Sequence, residues 1–187
     1  MRLEEATDAL EAFGKLYECQ ALASGVVPQI TAVFGTCGGG MAVVPALTDF
    51  TFMEAKNAKL FVNSPNALEG NKTENTANAA FQSSEAGMVD VVAQEDELLE
   101  SIRTLVSILP ANNEDDMSYS ECTDDLNRAC TDLEASAADP ALSLPMISDD
   151  SFFFEVKKDY AKDMVTGFIR LNGNTIGAIA NRTALYD

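Results

Sequence analysis

Four glycines fall within six positions of one stretch, Gly35-Thr36-Cys37-Gly38-Gly39-Gly40, and Met41 follows. Glycine tolerates positive φ and lets a second backbone or a ligand approach closely. An apolar run, Val26 to Phe34, leads into the cluster, and a segment of small and apolar residues able to begin a helix leads out. The first N–H groups of a helix have no intrahelical acceptor and favour a negative partner. Strand, glycine turn and helix start together describe a cradle for an anion, or for an oxygen that gains negative charge. Pattern alone leaves a second account open, in which the glycines serve only a tight structural turn. The cluster lacks the Gly-Lys-Ser/Thr ending of a P-loop and the GxGxxG spacing of a dinucleotide fold. Cys37, with no base in view, reads as a small packing residue rather than a nucleophile.

The chain contains no histidine, so Ser-His-Asp and Cys-His catalysis are excluded, together with the commonest general base near neutral pH. Any catalysis must rest on backbone donors, carboxylates, Lys, Tyr or a cofactor. The 187 residues carry a formal charge of −18, which argues against nucleic acid and against an anionic membrane surface as partners. No apolar run approaches the roughly 20 residues that span a bilayer, and the N-terminus has no apolar signal core. Cys19, Cys37, Cys122 and Cys130 show no CxxC spacing, so no metal site is expected and the cysteines read as reduced thiols of a cytoplasmic protein. A hydrophobic fraction of 47% is enough for a sizeable core.

The elements that must hold the glycine cluster follow from periodicity. Residues 3–24 read as a helix, with Leu3, Ala6, Leu10, Phe13 and Tyr17 recurring at spacings of three and four. Gly25 stops it and Pro28 keeps the chain extended before a buried strand over 29–34. Residues 39–47 form the next helix, short or irregular because of Pro45. Strands follow over 49–53 and 59–62, and parallel strands joined by helices are the simplest arrangement. Residues 64–84 read as a polar loop and 89–93 as an edge strand. A helix spans 95–109, with Leu98, Leu99, Ile102, Leu105, Val106 and Leu109 as its apolar stripe and Pro110 as its end. The Glu95-Asp96-Glu97 run fits an acidic first turn. The stretch 114–150 is dense in acidic and polar residues and reads as an acidic linker, with a modest helix near 126–133. Beyond it, Phe152-Phe153-Phe154 suits a core, and Asn172-Gly173-Asn174 between two apolar runs signals a hairpin.

Several words of the sequence, in order, resemble one family. They include Met1-Arg2-Leu3-Glu4-Glu5, the run Leu22 to Ile30, and Pro45-Ala46-Leu47-Thr48-Asp49-Phe50. Leu109-Pro110-Ala111-Asn112-Asn113, Phe153-Phe154-Glu155-Val156, Asp159-Tyr160-Ala161-Lys162 and the run Gly167 to Gly173 continue the series. Together they are similar to the carboxyltransferase subunits of biotin-dependent acyl-CoA carboxylases and decarboxylases, the group of propionyl-CoA carboxylase β chains. The resemblance implies an α/β, crotonase-like fold of repeated ββα units, present here in part. It implies that residues 1–113 are the C-terminal part of an acyl-CoA domain and that residues 151–187 open a second carboxyltransferase domain, with 114–150 between them.

The implied activity is carboxyl transfer between carboxybiotin, carried on a biotin carboxyl carrier protein, and a coenzyme A thioester. In the family's glycine motif the paired glycines donate backbone N–H groups to the thioester oxygen; they align with Gly39 and Gly40, with Cys37, Gly38 and Met41 as substrate-binding neighbours. Active sites in the family lie between subunits of a homo-oligomer. Thr36 and Gly38 stand where the family has Pro and Ala, and residues 66–84 lack the Thr-His often found there. The chain begins just past the family's Ser-Gly-Gly-Ala and ends before its second glycine pair, so an internal fragment, inactive alone, is expected. The competing reading is a crotonase-type acyl-CoA-binding protein or a CoA enzyme without biotin, which would need a Glu pair facing the thioester.

Overall fold

A computed structural model describes residues 5–63, 76–115 and 119–184. Helix α1, Ala6–Ala23, leads to strand β1, Ile30–Val33, and then to β2, Thr36–Gly38. A 3-10 turn at Gly39–Ala42 runs into the short helix α2, Val43–Leu47. Next come β3 at Phe50–Glu54, β4 at Lys59–Phe61, α3 at Ala79–Ser84, β5 at Val91–Ala93 and α4 at Glu95–Ile108. Two small parallel sheets result, one ordered β1-β3-β5 and the other pairing β2 with β4. The parallel arrangement, the non-helical chain at Pro28 ahead of β1 and the edge position of β5 agree with the sequence reading. Helix α3 was hidden inside a stretch that reads as loop: Asn78 caps it by accepting the Phe81 N–H at 2.8 Å, a local device with no long apolar period. The expectation for 64–75 lies outside the described residues.

Strand β3 is the centre of both cores because successive side chains leave it on opposite faces. Met53 joins Val33, Ala42, Leu60, Ala79 and Val89 between the two sheets. Phe52 and Phe50 turn the other way, into a cluster with Leu98, Ile102, Leu105 and Ile108 of α4. The stripe expected on α4 is narrower than its sequence suggests: Leu99 and Val106 are 50% and 58% exposed, one residue round the helix from the buried row. On α1 the stripe is likewise partial. Phe13 and Tyr17 are half-buried and Gln20 buried, whereas Leu10 is 73% exposed.

The C-terminal portion adds an antiparallel sheet of β6, Phe153–Val156, β7, Met164–Leu171, and β8, Asn174–Asn181. Its hairpin turn has Asn172 at φ 49° and Gly173 at φ 80°, the paired positive angles that a two-residue turn between twisted strands requires. This sheet is not separate from the rest. Phe154 is buried in the α4 cluster, and Phe152, Val156 and Phe168 pack against it. Phe152 and Phe154 are therefore core, as the composition suggested, whereas half-buried Phe153 leaves β6 on the other face and lies outside that cluster.

Residues 114–150 differ from the expected acidic linker. Helices α5, Leu133–Ser136, and α6, Pro140–Ile147, lie there, while 125–128 form a turn rather than the helix expected near 126–133. Order comes from Arg128, which bonds the Asp124 carboxylate at 2.7 Å and donates to the carbonyls of Met146 and Ser148 at 2.6 and 2.7 Å. Asp149 then accepts the Asn172 and Gly173 N–H groups at 3.0 and 2.6 Å, pinning the hairpin turn. Side-chain-to-backbone bonds of this kind leave no periodic trace in a sequence. No helix among the described residues is long and apolar enough to cross a membrane.

Three carboxyls feel the fold in opposite senses. Glu54, closing the β3–β4 turn, accepts the Asn57 and Lys56 N–H groups at 2.6 and 3.0 Å, which hold its pKa below the ordinary 4.5. The hydrogen bond from Arg128 does the same for Asp124. Burial pushes Glu155 upward, against the pull of Arg182. Stability from Glu54 and Asp124 is complete above the ordinary carboxylate range and is lost as pH falls through their lowered values. The Glu155 contribution is present below that range and is lost as pH rises through its raised value.

Two measurements check this architecture. Phe154→Ala should lower stability by about 3–5 kcal/mol while unfolding stays a single transition by near-ultraviolet and far-ultraviolet dichroism. Two separated transitions would show that β6–β8 fold independently. In denaturant titrations across pH, Glu54→Gln should flatten the acid limb below about pH 4.5, and Glu155→Gln should flatten the decline on the neutral side. Unchanged limbs would remove these groups from the balance.

Candidate active site: the glycine bend

The bend begins where the β2–β4 ladder ends. Thr36, Cys37 and Gly38 pair with Lys59, Leu60 and Phe61, and the Lys59 N–H donates to the Gly35 carbonyl at 2.9 Å. In a parallel ladder alternate residues face the partner, so the amide of Gly39 leaves the strand on the β4 side. Gly39 then reverses the chain at φ +64°, with open space where a Cβ would stand. That angle, not crowding, is what demands glycine here.

Its neighbours need glycine for the opposite reason. A Cβ on Gly38 would sit 2.6 Å from the Phe61 ring, and one on Gly40 would meet Phe13 and Tyr17 at 3.1 Å. An alanine at position 38 would require the Phe61 ring to shift. The three glycines serve two ends: close packing at Gly38 and Gly40, and reversal at Gly39.

A cleft of about 270 Å3 opens beside the bend, bounded by Phe34, Thr36, Cys37, Met41 and Val44. Of the expected site residues, Cys37 and Met41 line it together. The cleft lining stops short of Gly38, Gly39 and Gly40, which form the bend between those two residues. Met41 is 48% exposed at the rim. Cys37 packs against the inter-sheet core, and burial pushes its thiol pKa up, so it is a neutral packing group and not a thiolate. All four cysteines are free. The remaining polar side chains of the lining are the hydroxyls of Thr31 and Thr36. No carboxylate or amine faces the cleft among the described residues that line it, and no cluster of three metal-ligating side chains occurs among the described residues.

Helix α2, which carries the far side of the bend, is held from behind. Thr48 and Thr51 donate their hydroxyls to the Pro45 carbonyl at 3.0 and 3.1 Å, and Gln20 reaches the Val44 carbonyl at 3.4 Å. Tyr17 of α1 donates to the Gly40 carbonyl. Periodicity placed Tyr17 on the packed face of α1 but gave no sign that its hydroxyl engages the bend. What the site offers is an electrically neutral pocket edge beside the glycine bend, with no carboxylate or amine among its lining residues.

Comparison with known proteins bears on the family and the fold. Residues 1–185 match the carboxyl transferase domain family. The chain is 35% identical, over 97% of its length, to methylmalonyl-CoA decarboxylase subunit alpha of Propionigenium modestum and to the propionyl-CoA carboxylase carboxyltransferase subunit of Haloferax mediterranei. It is 32% identical to the mitochondrial propionyl-CoA carboxylase beta chain of Rattus norvegicus. It spans 36–38% of the length of these relatives. A solved structure of transcarboxylase 12S, with hydrolysed methylmalonyl-coenzyme A bound, superposes on 97% of the chain with a TM-score of 0.87 at 30% identity and is covered over 37% of its own length. A single-chain long-chain acyl-CoA carboxylase shares the fold, with a TM-score of 0.68 at 23% identity. Match, identity and superposition all span nearly the whole chain: it belongs to the carboxyl transferase domain family, with that family's crotonase-like fold.

Proposed function

We propose that this chain contributes the acyl-CoA side of a biotin-dependent carboxyltransferase, an enzyme that moves a carboxyl group between carboxybiotin and an acyl-CoA thioester. The observation that carries the reading is the bend at Gly39–Gly40 beside a cleft with no acid–base side chain. Removing a proton or a carboxyl group from the carbon next to a thioester drives negative charge onto the thioester oxygen. Fixed N–H donors at a helix start stabilise that charge, at about 2.7–4 kcal/mol for one donor. Gly39 and Gly40 are the donors proposed for this oxygen. Gly40 has the stronger case, since the Gly39 amide leaves β2 on the β4 side. Cys37, Gly38 and Met41 shape the place where the acyl group rests.

The neutral lining also bears on the biotin requirement. Carboxybiotin would supply the carboxyl group and, after losing it, a basic ureido nitrogen, which suits a cleft lacking a base of its own. No described residue is assigned to hold it. A hydratase-type mechanism fits worse, because it needs paired glutamates toward the thioester and the lining has none. The names of the relatives, a methylmalonyl-CoA decarboxylase and propionyl-CoA carboxylases, support a short acyl-CoA as substrate. The hexamer assembly named for transcarboxylase 12S supports a homo-oligomer that meets a biotin carboxyl carrier protein. Residues 1–113 and 151–187 are proposed as parts of the two carboxyltransferase domains, working in the cytoplasm.

The test, carried out in the intact carboxyltransferase, follows carboxyl transfer between a biotinylated carrier and propionyl-CoA, together with exchange of the α-proton in D2O. Gly39→Val should cut transfer by about 100- to 1,000-fold, because a β-branched residue resists φ near +64°, while far-ultraviolet dichroism stays near that of the parent. Undiminished transfer would remove the bend from the mechanism. Thioester binding without any α-proton exchange in the parent would favour a binding module over an enzyme.

A further inference from the structure

The bend is gripped from one side. Tyr17 donates its hydroxyl proton to the Gly40 carbonyl at 2.5 Å, and the Val43 N–H donates to the same oxygen. The Tyr17 ring stacks on Phe13 with centroids 5.9 Å apart. Both side chains stand over the Gly40 Cα, where an added Cβ would come within 3.1 Å of each. Helix α1 therefore controls both where this residue sits and how its peptide is rotated. In a trans peptide the carbonyl and the following N–H point in opposite directions. Holding the Gly40 carbonyl toward Tyr17 and Val43 turns the Met41 N–H the other way, to the Gly38 carbonyl that it meets inside the 3-10 turn, and so fixes the bend at whose start the Gly40 amide stands. A carbonyl that accepts two hydrogen bonds also polarises its peptide, which makes the attached N–H a stronger donor.

We propose that Tyr17 is a positioning residue for the oxyanion cradle: its hydroxyl sets the rotation of the Gly40–Met41 peptide and thereby holds Gly40, whose own amide is the donor proposed for the thioester oxygen. The proposal rests on the carboxyl-transfer reading of the cleft. Among the contacts from α1, the Tyr17 hydroxyl is the one that addresses the bend itself. Gln20 engages Val44, already inside α2, at a longer 3.4 Å. Phe13 offers only its ring. Phenylalanine at position 17 would keep the stack and the contact with Gly40 and lose the hydrogen bond alone.

Tyr17→Phe in the carboxyltransferase assembled with its biotin carrier separates this role from a purely structural one. The first readout is nuclear magnetic resonance of selectively labelled protein. The Gly40 carbonyl carbon and the Met41 amide proton should both move upfield in the variant, while the labelled amides of β5 stay in place. The second is kinetic. The kcat for carboxyl transfer should fall about tenfold, a fraction of the 100- to 1,000-fold lost with a whole oxyanion donor, with KM for the acyl-CoA and the thermal midpoint close to those of the parent. Tyr17→Leu, which also removes the stack, should lower the thermal midpoint as well. Unmoved Gly40 and Met41 signals, an unchanged kcat, or a kcat that falls only alongside the thermal midpoint would each overturn the proposal. If the parent neither transfers carboxyl groups nor exchanges the α-proton, the functional reading fails instead, and the resonance shifts still decide whether Tyr17 turns the peptide.

Discussion

A five-residue strand buried on alternating faces is the constraint on which the molecule depends. Phe50 and Phe52 of β3 point toward α4 and the C-terminal sheet, Met53 points between the two parallel sheets, and Thr51 is tied by the Asp90 carboxylate and the Pro45 carbonyl. Each apolar face removes from water a row of side chains that no other element could cover alone, at about 25 cal/mol per Å2 of apolar surface. Because β1 and β5 both pair with β3, the exit of β1 is set by this strand. The distance from β1 to the bend is a two-residue step, Phe34–Gly35, into β2. The position of the glycines is therefore a consequence of how β3 is buried.

Much of this was legible. The glycine cluster, its leading strand, the α4 stripe and the Asn172-Gly173 hairpin all announce themselves by residue type or period, because each is a local preference that the global fold also satisfies. The ordered run of family words reached further, to the fold class. Period alone overstated the buried stripes, since Leu10, Leu99 and Val106 are apolar and yet exposed. A helix places its neighbours at set angles but does not say how wide a face the partner will cover.

Two features were not legible, for a shared reason. Arg128 reaching two carbonyls of 146 and 148, and Tyr17 reaching the carbonyl of Gly40, are bonds from a side chain to distant backbone. They depend on where two segments finish, and neither segment changes its composition on account of them. The same holds for Gly38 against Phe61, where the small residue and the large ring account for each other only once β2 and β4 lie side by side.

The parallel pairing of β3 has a further effect, on when the cradle can exist. Its ladder joins Ile30 to Phe50 and Phe52 to Val91, so each rung closes a long loop before any contact rewards it, and such topologies assemble slowly. During synthesis the segment holding the glycines emerges well before Val91 does. Until that last strand arrives, β3 has one edge bare and an aromatic face uncovered, a state prone to sticking to its like. The glycine bend is thus made well before the strand that completes its support, and takes its final shape only once that strand has paired.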